Sequence, residues 1–154
     1  MRATQPIEHK TALAALIAAS VLAAAVAPRL AAAEGALAVG EPADVAAEGY
    51  AYGFAVNRPS LDVASAAAMG DCTRPTPGID PRAQALCKVV QTFRNRCFAV
   101  AMDPKDATPG VGWAIADDKD TAGRNAIVKC QATAGDDRRD FCKVTHSDCD
   151  GGAK

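Results

Sequence analysis

After residue 50, the same series of hydrophobic and polar segments occurs twice along the chain. A short apolar stretch with aromatic residues, at 52–56 and again at 111–115, predicts a strand in each copy. A polar break, then small residues at every fourth position, predicts a helix with one closely packed face. That face carries Ala64, Ala68 and Cys72 in the first copy and Ala122, Ala126 and Cys130 in the second. The offset of 58 residues is the same for all three pairs, which indicates duplication of one small unit.

A second β-prone stretch closes each copy, at 87–93 and at 141–145, and an extra strand at 97–102 follows the first copy. Each half is therefore predicted to be strand–helix–strand. We expect an α+β fold in which the two units form one antiparallel or mixed sheet with both helices on one face.

The N-terminal residues 1–33 have the pattern of a signal peptide. Arg2 and Lys10 precede an uncharged apolar stretch at 11–27, and Ala31-Ala32-Ala33 is a small-residue cleavage site. The alternative is an uncleaved membrane anchor, although this apolar stretch is at the short end for crossing a bilayer. Residues 34–49 show no sustained period and are predicted to be a flexible N-terminal lead. The compact domain is expected over 50–150, in the periplasm or outside the cell.

The charge balance narrows the class of partner. Removal of residues 1–33 leaves 14 basic and 17 acidic side chains, a net charge near −3. A chain of this charge is not expected to bind nucleic acid, or a membrane once the signal peptide is cleaved.

Six cysteines follow the signal segment. They are Cys72, Cys87, Cys97, Cys130, Cys142 and Cys149. An even number in an exported chain predicts a disulfide framework, and the alternatives are free thiols or a zinc site, for which the usual Cys-x-x-Cys pair is missing. If the halves are equivalent, Cys72 pairs with Cys87 and Cys130 with Cys142. The remaining pair, Cys97–Cys149, would then join the halves.

Several short motifs together resemble a bacterial family, the domain of unknown function 4189. They are Gly53-Phe54-Ala55-Val56, Cys87-Lys88-Val89-Val90-Gln91-Thr92-Phe93, Cys97-Phe98-Ala99-Val100-Ala101, Gly112-Trp113-Ala114, Cys142-Lys143-Val144 and the two helices that end in cysteine. The resemblance covers 50–149 and implies a small exported protein or module. It assigns no activity, so it carries over no catalytic residue. Phe98 and the proline-rich loop at 73–86 depart from the family pattern.

The search for catalytic groups finds no convincing set. His146 is the one histidine after the signal segment, and its neighbours Ser147 and Asp148 lie too close along the chain to form a catalytic triad. Asp136, Asp137 and Asp140 lack the spacing of a calcium loop. We therefore predict no catalytic residue, no cofactor and no metal.

Two groups of residues are candidates for an interaction surface. Arg74, Arg82, Arg94 and Arg96 could form a basic patch, together with Lys88. Ordinary surface charge is the alternative for these side chains. Tyr50, Tyr52 and Trp113 could anchor a partner, or they could fill the core.

Three functions remain open at this point. The favoured one is an exported, non-catalytic module that binds an unknown protein partner, as an inhibitor, a protective protein or a host-directed protein. The alternative is a small hydrolase that uses carboxylates such as Asp136, Asp137 or Asp148. The third is a thiol–disulfide redox protein, which the absence of a thioredoxin-type cysteine pair disfavours.

Overall fold

The computed structural model describes residues 33–154. The predicted signal segment therefore lies outside the described residues, apart from Ala33. Six strands and four helices follow, together with a 3₁₀ turn at Arg139–Phe141. Their order is β1 Glu34–Gly40, α1 Val45–Glu48, β2 Ala51–Arg58, α2 Leu61–Cys72, α3 Pro81–Ala85, β3 Lys88–Phe93, β4 Cys97–Met102, β5 Val111–Ala116, α4 Lys119–Thr133 and β6 Lys143–Cys149. None of these helices is long and apolar enough to cross a membrane.

The six strands form two antiparallel sheets, in the orders β2-β1-β3 and β5-β4-β6. The predicted α+β class is confirmed, but the prediction of one continuous sheet was wrong. The two orders are the same when the units are superposed, because the first strand of each unit lies in the middle of its sheet. The repeat is therefore strand–strand–helix–strand. β4, which the sequence suggested was an extra strand of the first half, begins the second unit.

The segment that the sequence predicted to be a flexible lead contains the central strand of the first sheet. Every residue of β1, Glu34–Gly40, is buried. Alternate side chains of a strand point to opposite faces, and both faces of β1 are covered, so its pattern has no polar side. Alanine and glycine are also poor strand formers, which hid this strand from sequence reasoning.

The two sheets pack face to face and the long helices lie outside them. In β1, Ala36 and Ala38 face α2, whereas Leu37 and Val39 face the other sheet. The second unit repeats this division, with Ala99 and Ala101 of β4 towards α4 and the larger Phe98 and Val100 towards the first sheet. The layers are thus helix, sheet, sheet, helix. The prediction that both helices share one face was wrong.

Glycine lets each long helix lie directly on its sheet. A Cβ atom on Gly53 would overlap the backbone of Ala68 and Cys72 in α2. A Cβ atom on Gly112 would overlap the backbone of Ala126 and Cys130 in α4. The Gly-aromatic dipeptides that mark the two copies in the sequence therefore mark the places where the two long helices lie closest to their sheets.

All three predicted disulfides are present. Cys72–Cys87 and Cys130–Cys142 connect the end of each long helix to the start of the strand that follows, with Cα atoms 6.0 and 5.9 Å apart. Cys97 and Cys149 face each other across β4 and β6. This third bridge lies within the second sheet, so it does not join the halves as the sequence suggested.

A buried carboxylate connects the two units instead. Asp150 is fully buried and accepts the backbone N–H of Asn57 at 2.7 Å and that of Asn95 at 3.1 Å. Both asparagines have positive φ angles, of 56° and 51°. The Asn57 side chain accepts the N–H of Gly151 at 2.9 Å in return. The end of β2, the β3–β4 turn and the end of β6 are therefore held by one side chain.

The helix contact at glycine predicts a clear stability difference between two alanine substitutions. Gly112→Ala is expected to destabilise the oxidised protein by about 1–3 kcal/mol, because α4 must move away from β5. Gly70→Ala is the matched control, since nothing lies within 4 Å of a Cβ atom there. It should stabilise α2 by roughly 0.5–1 kcal/mol. Urea unfolding of both variants measures the difference, and equal effects would contradict the close-contact explanation.

Asp150→Asn is expected to destabilise the domain by about 2 kcal/mol or more, because an amide nitrogen must replace one acceptor that faces a backbone N–H. Asp140→Asn, which changes the same charge on an exposed side chain, should have little effect. Hydrogen exchange at the amides of Asn57 and Asn95 is the local readout. Unchanged protection in Asp150→Asn would show that the carboxylate does not hold these turns.

Candidate binding cleft

A depression lies at one end of the sandwich, between connections from both units. Its walls are the β1–β2 connection that contains α1, the loop after α2 at 74–80, and the β4–β5 loop at 103–110. Its volume is about 770 Å³. Because the β1–β2 and β4–β5 connections are equivalent in the two units, the cleft lies where the repeat brings its hairpin loops together. We call this depression the cleft.

The first wall of the cleft is aromatic. Tyr50, Tyr52 and Phe54 line it from β2 and the residue before it. The rings of Tyr50 and Tyr52 are 6.2 Å apart at their centroids and tilted by 34°. The Tyr50 side chain is almost fully buried, and its hydroxyl has no hydrogen-bond partner among the described residues. Burial raises the pKa of Tyr50 well above its usual value near 10, so this hydroxyl stays neutral.

The polar lining of the cleft is mostly acidic. Five carboxylates and two cationic side chains line it. The acids are Glu48, Asp71, Asp80, Asp103 and Asp106, and the cations are Arg74 and Lys105. Carboxylates therefore outnumber cations in the lining, which adjoins the aromatic wall.

Asp103 and Arg138 hold the β4–β5 loop in place. The two guanidinium nitrogens Nε and Nη2 donate to the two oxygens of Asp103 at 2.8 and 2.6 Å. The backbone of Asp103 donates to the carbonyl of Gly110 at 2.8 Å, and its Oδ1 accepts the N–H of Lys105 at 3.0 Å. The hydrogen bonds from Arg138 are the main cause that lowers the pKa of Asp103. The loop therefore forms a fixed wall of the cleft.

The four arginines of the predicted basic patch fall into two pairs along the chain, one before β3 and one after it. Arg74 pairs with Asp71 at 3.0 Å, and Arg82 with Asp80 at 3.0 Å and with Glu48 at 3.5 Å. In the β3–β4 turn, Arg94 pairs with the buried Glu34, and Arg96 with Asp117 at 2.8 Å. Of the four, Arg74 alone lines the cleft.

The other sequence candidates lie apart from the cleft. His146, on β6, contacts the Phe54 ring at 4.3 Å between centroids and is parallel to Phe98. Asp136 pairs with Arg139, and Asp148 accepts the N–H of Cys149. Neither Asp136, Asp137 nor Asp148 lines the cleft. Within residues 33–154, no three His, Cys, Asp or Glu side chains form a group that could hold a metal ion.

Sequence reasoning missed most of the cleft. Tyr50 and Tyr52 had been candidates as anchors, and the structure places both in the cleft as well as in the inter-sheet core. Trp113 packs against that core and has Lys129 over its ring. Nothing in the sequence marked Glu48 and Asp103 as candidate site residues beyond their position in turn-rich segments. Only the packing of the two sheets brings these two side chains to one depression.

The Asp103–Arg138 pair predicts a pH dependence of the β4–β5 loop. The folded-state pKa of Asp103 lies below its ordinary value of 3.8. The ion pair therefore stabilises the loop fully at pH values above 3.8, and this stabilisation is lost as the pH falls through the folded-state pKa. Arg138→Gln is expected to move the pKa of Asp103 up towards 3.8, as seen in a carboxyl NMR titration. Arg139→Gln, whose partner is Asp136, is the control that should leave it unchanged.

Comparison with known proteins identifies the family of this chain. No curated protein and no solved structure matches the chain. The family model described as "Domain of unknown function (DUF4189)" matches residues 35–149. The match runs from β1 to the last residue of β6, so it spans both units and all six cysteines. The chain therefore belongs to the DUF4189 family, as the resemblance of its cysteine and glycine motifs implied.

Proposed function

We propose that this protein is an exported, non-catalytic binding module whose partner occupies the cleft. The observation that carries the proposal is the cleft itself, with an aromatic wall and a rim of charged side chains. Aromatic residues and methionine are typical of the centre of an interface, and charged groups are typical of its rim. Met102 and Ile79 line the cleft beside the aromatic wall. A volume of about 770 Å³ falls within the range of ordinary ligand sites.

The rigidity of the surrounding frame also supports a binding role. The Cys72–Cys87 bridge fixes the helix end next to the 74–80 wall, and Arg138 fixes the 103–110 wall. Walls that are already in place reduce the entropy that a partner must overcome on binding.

Export is supported by two features of different kind. The N-terminal pattern of residues 1–33 is that of a signal peptide. Three disulfides with no free cysteine are typical of proteins that fold in an oxidising compartment.

The hydrolase alternative has less support in the cleft. A glycosidase of the usual kind needs one carboxyl group that stays protonated near neutral pH, and therefore has a raised pKa. Asp80 and Asp103 have lowered pKa values, because arginines donate hydrogen bonds to both. These shifts favour carboxylates that attract a partner over carboxyls that donate a proton.

The redox alternative has less support in the disulfides. Exchange requires a thiolate to reach one sulfur of the bridge. Cys72, Cys97 and Cys130 are each exposed by 2 % or less, so one half of every bridge is buried. The three bridges are better explained as links that hold the layers together.

Site-specific photocrosslinking in the producing cell tests the binding proposal. A benzophenone amino acid replaces Asp106, which lines the cleft and is exposed, or Val128, which is 63 % exposed on α4 away from the cleft. We expect a discrete adduct from position 106, none from position 128, and loss of the adduct when Tyr52→Ser is added. No adduct from either position, or equal adducts from both, would contradict a partner in the cleft.

A further inference from the structure

We infer that the partner presents a lysine or arginine side chain, and that this cation enters the cleft against the aromatic wall. The inference rests on the proposed function and names the chemistry of the group that is bound. Two features of the described residues point to a cation, namely the comparison of the two units and the charge of the lining. A third feature, an unpartnered hydroxyl, offers this cation a hydrogen-bond acceptor.

The duplication supplies the first feature. Trp113 follows Gly112 on β5, as Phe54 follows Gly53 on β2. In the second unit the chain places its own cation on this ring, because the Lys129 ammonium lies 4.5 Å from the Trp113 ring centroid. Such a contact is favourable because the face of an aromatic ring carries partial negative charge.

The first unit has the opposite charge at the equivalent helix position. Lys129 precedes Cys130 at the end of α4, and Asp71 precedes Cys72 at the end of α2. Asp71 and Phe54 both line the cleft. An acid therefore takes the place of the cation at the equivalent helix position. Its partner in this chain is Arg74, whose side chain is 68 % exposed, so an incoming cation can replace Arg74 at small cost.

The charge of the lining is the second feature. Of its five carboxylates, Asp103 is already bound by Arg138, and the other four lie beside two lining cations, Arg74 and Lys105. Arg82, the partner of Glu48 and Asp80, is not part of the lining, and its side chain is 72 % exposed. Exposed ion pairs of this kind contribute little, so an incoming guanidinium or ammonium can replace Arg82 at small cost.

The Tyr50 hydroxyl is the third feature. It is buried next to the cleft, it is neutral, and no described group hydrogen-bonds to it. Buried polar groups without a partner are rare in folded proteins and require an explanation. A guanidinium or ammonium N–H that reached the inner end of the cleft would donate to this oxygen.

The test is an NMR titration of the oxidised protein with an N-acetylated, C-amidated hexa-arginine peptide and, separately, with a hexa-glutamate peptide. Hexa-arginine is expected to shift the amides of 45–49 and 103–110, with an affinity that falls as salt is raised, because exposed charges are screened. Hexa-glutamate should leave these amides in place. Shifts by both peptides, or by neither at millimolar concentration, would overturn the inference.

The decisive variant is Asp71→Lys, which gives the first unit the same residue that the second unit has at Lys129. The ammonium of the new lysine can then occupy the Phe54 side of the cleft. Hexa-arginine binding should therefore weaken by at least about tenfold. Asp62→Lys is the matched control, since it makes the same charge change on α2 at an exposed position outside the cleft. It should alter the affinity by less than about threefold, because an exposed charge outside the cleft is largely screened.

A second variant keeps the inference testable if Asp71→Lys folds poorly. Tyr52→Leu preserves apolar volume but removes a ring face, and is expected to weaken hexa-arginine binding by about threefold or more. Equal weakening by Asp62→Lys and Asp71→Lys, or none by Tyr52→Leu, would contradict a cation site on the aromatic wall. A discrete adduct at position 106 without any hexa-arginine binding would leave the proposed function standing and remove the cation from it.

Discussion

The close approach of each long helix to a glycine in its sheet is the constraint on which the rest of this structure depends. Gly53 and Gly112 leave no room for a Cβ atom, and the helix faces opposite them carry alanine and cysteine. Outer layers this thin bury little apolar area, so small side chains alone stabilise them weakly. The disulfides at the two helix ends compensate, because each prevents a helix from separating from the strand that follows it.

The larger apolar side chains are concentrated between the two sheets. The buried part of this layer is formed by Leu37, Val39, Tyr50, Phe93, Phe98, Val100 and Val111. Phe98 is fully buried in this layer and contacts the rings of Phe54 and Phe93. The same layer continues into the cleft through Tyr50, Tyr52 and Phe54, so the aromatic wall is the open end of the core. The aromatic wall is therefore supported directly by the packed core.

The two units share one topology but differ where the cleft forms. In the second unit the ring of Trp113 has Lys129 over it, whereas in the first unit Phe54 and Asp71 both line the cleft. Duplication of a small scaffold followed by a change of charge at one helix position is a simple route from a structural repeat to an asymmetric site. The buried Asp150 keeps the two units in one fixed relation, so the loops that form the cleft stay together.

The sequence by itself indicated the repeat, the α+β class and the family, and the repeat suggested the disulfide pairs that the structure contains. These features depend on local spacing. Alanines at every fourth position define a helix face, and cysteines at equivalent places in two repeats are expected to pair in the same way. Only the tertiary structure decided that β1 is a central strand, that β4 opens the second unit, and that six strands form two sheets with a helix outside each. Strand pairing and layer order depend on contacts between distant residues, and a strand of alanine and glycine covered on both faces has no polar side to reveal it. For the same reason the cleft could not be read from the chain: Glu48, Asp71 and Asp103 become neighbours of one depression only when the two sheets face each other.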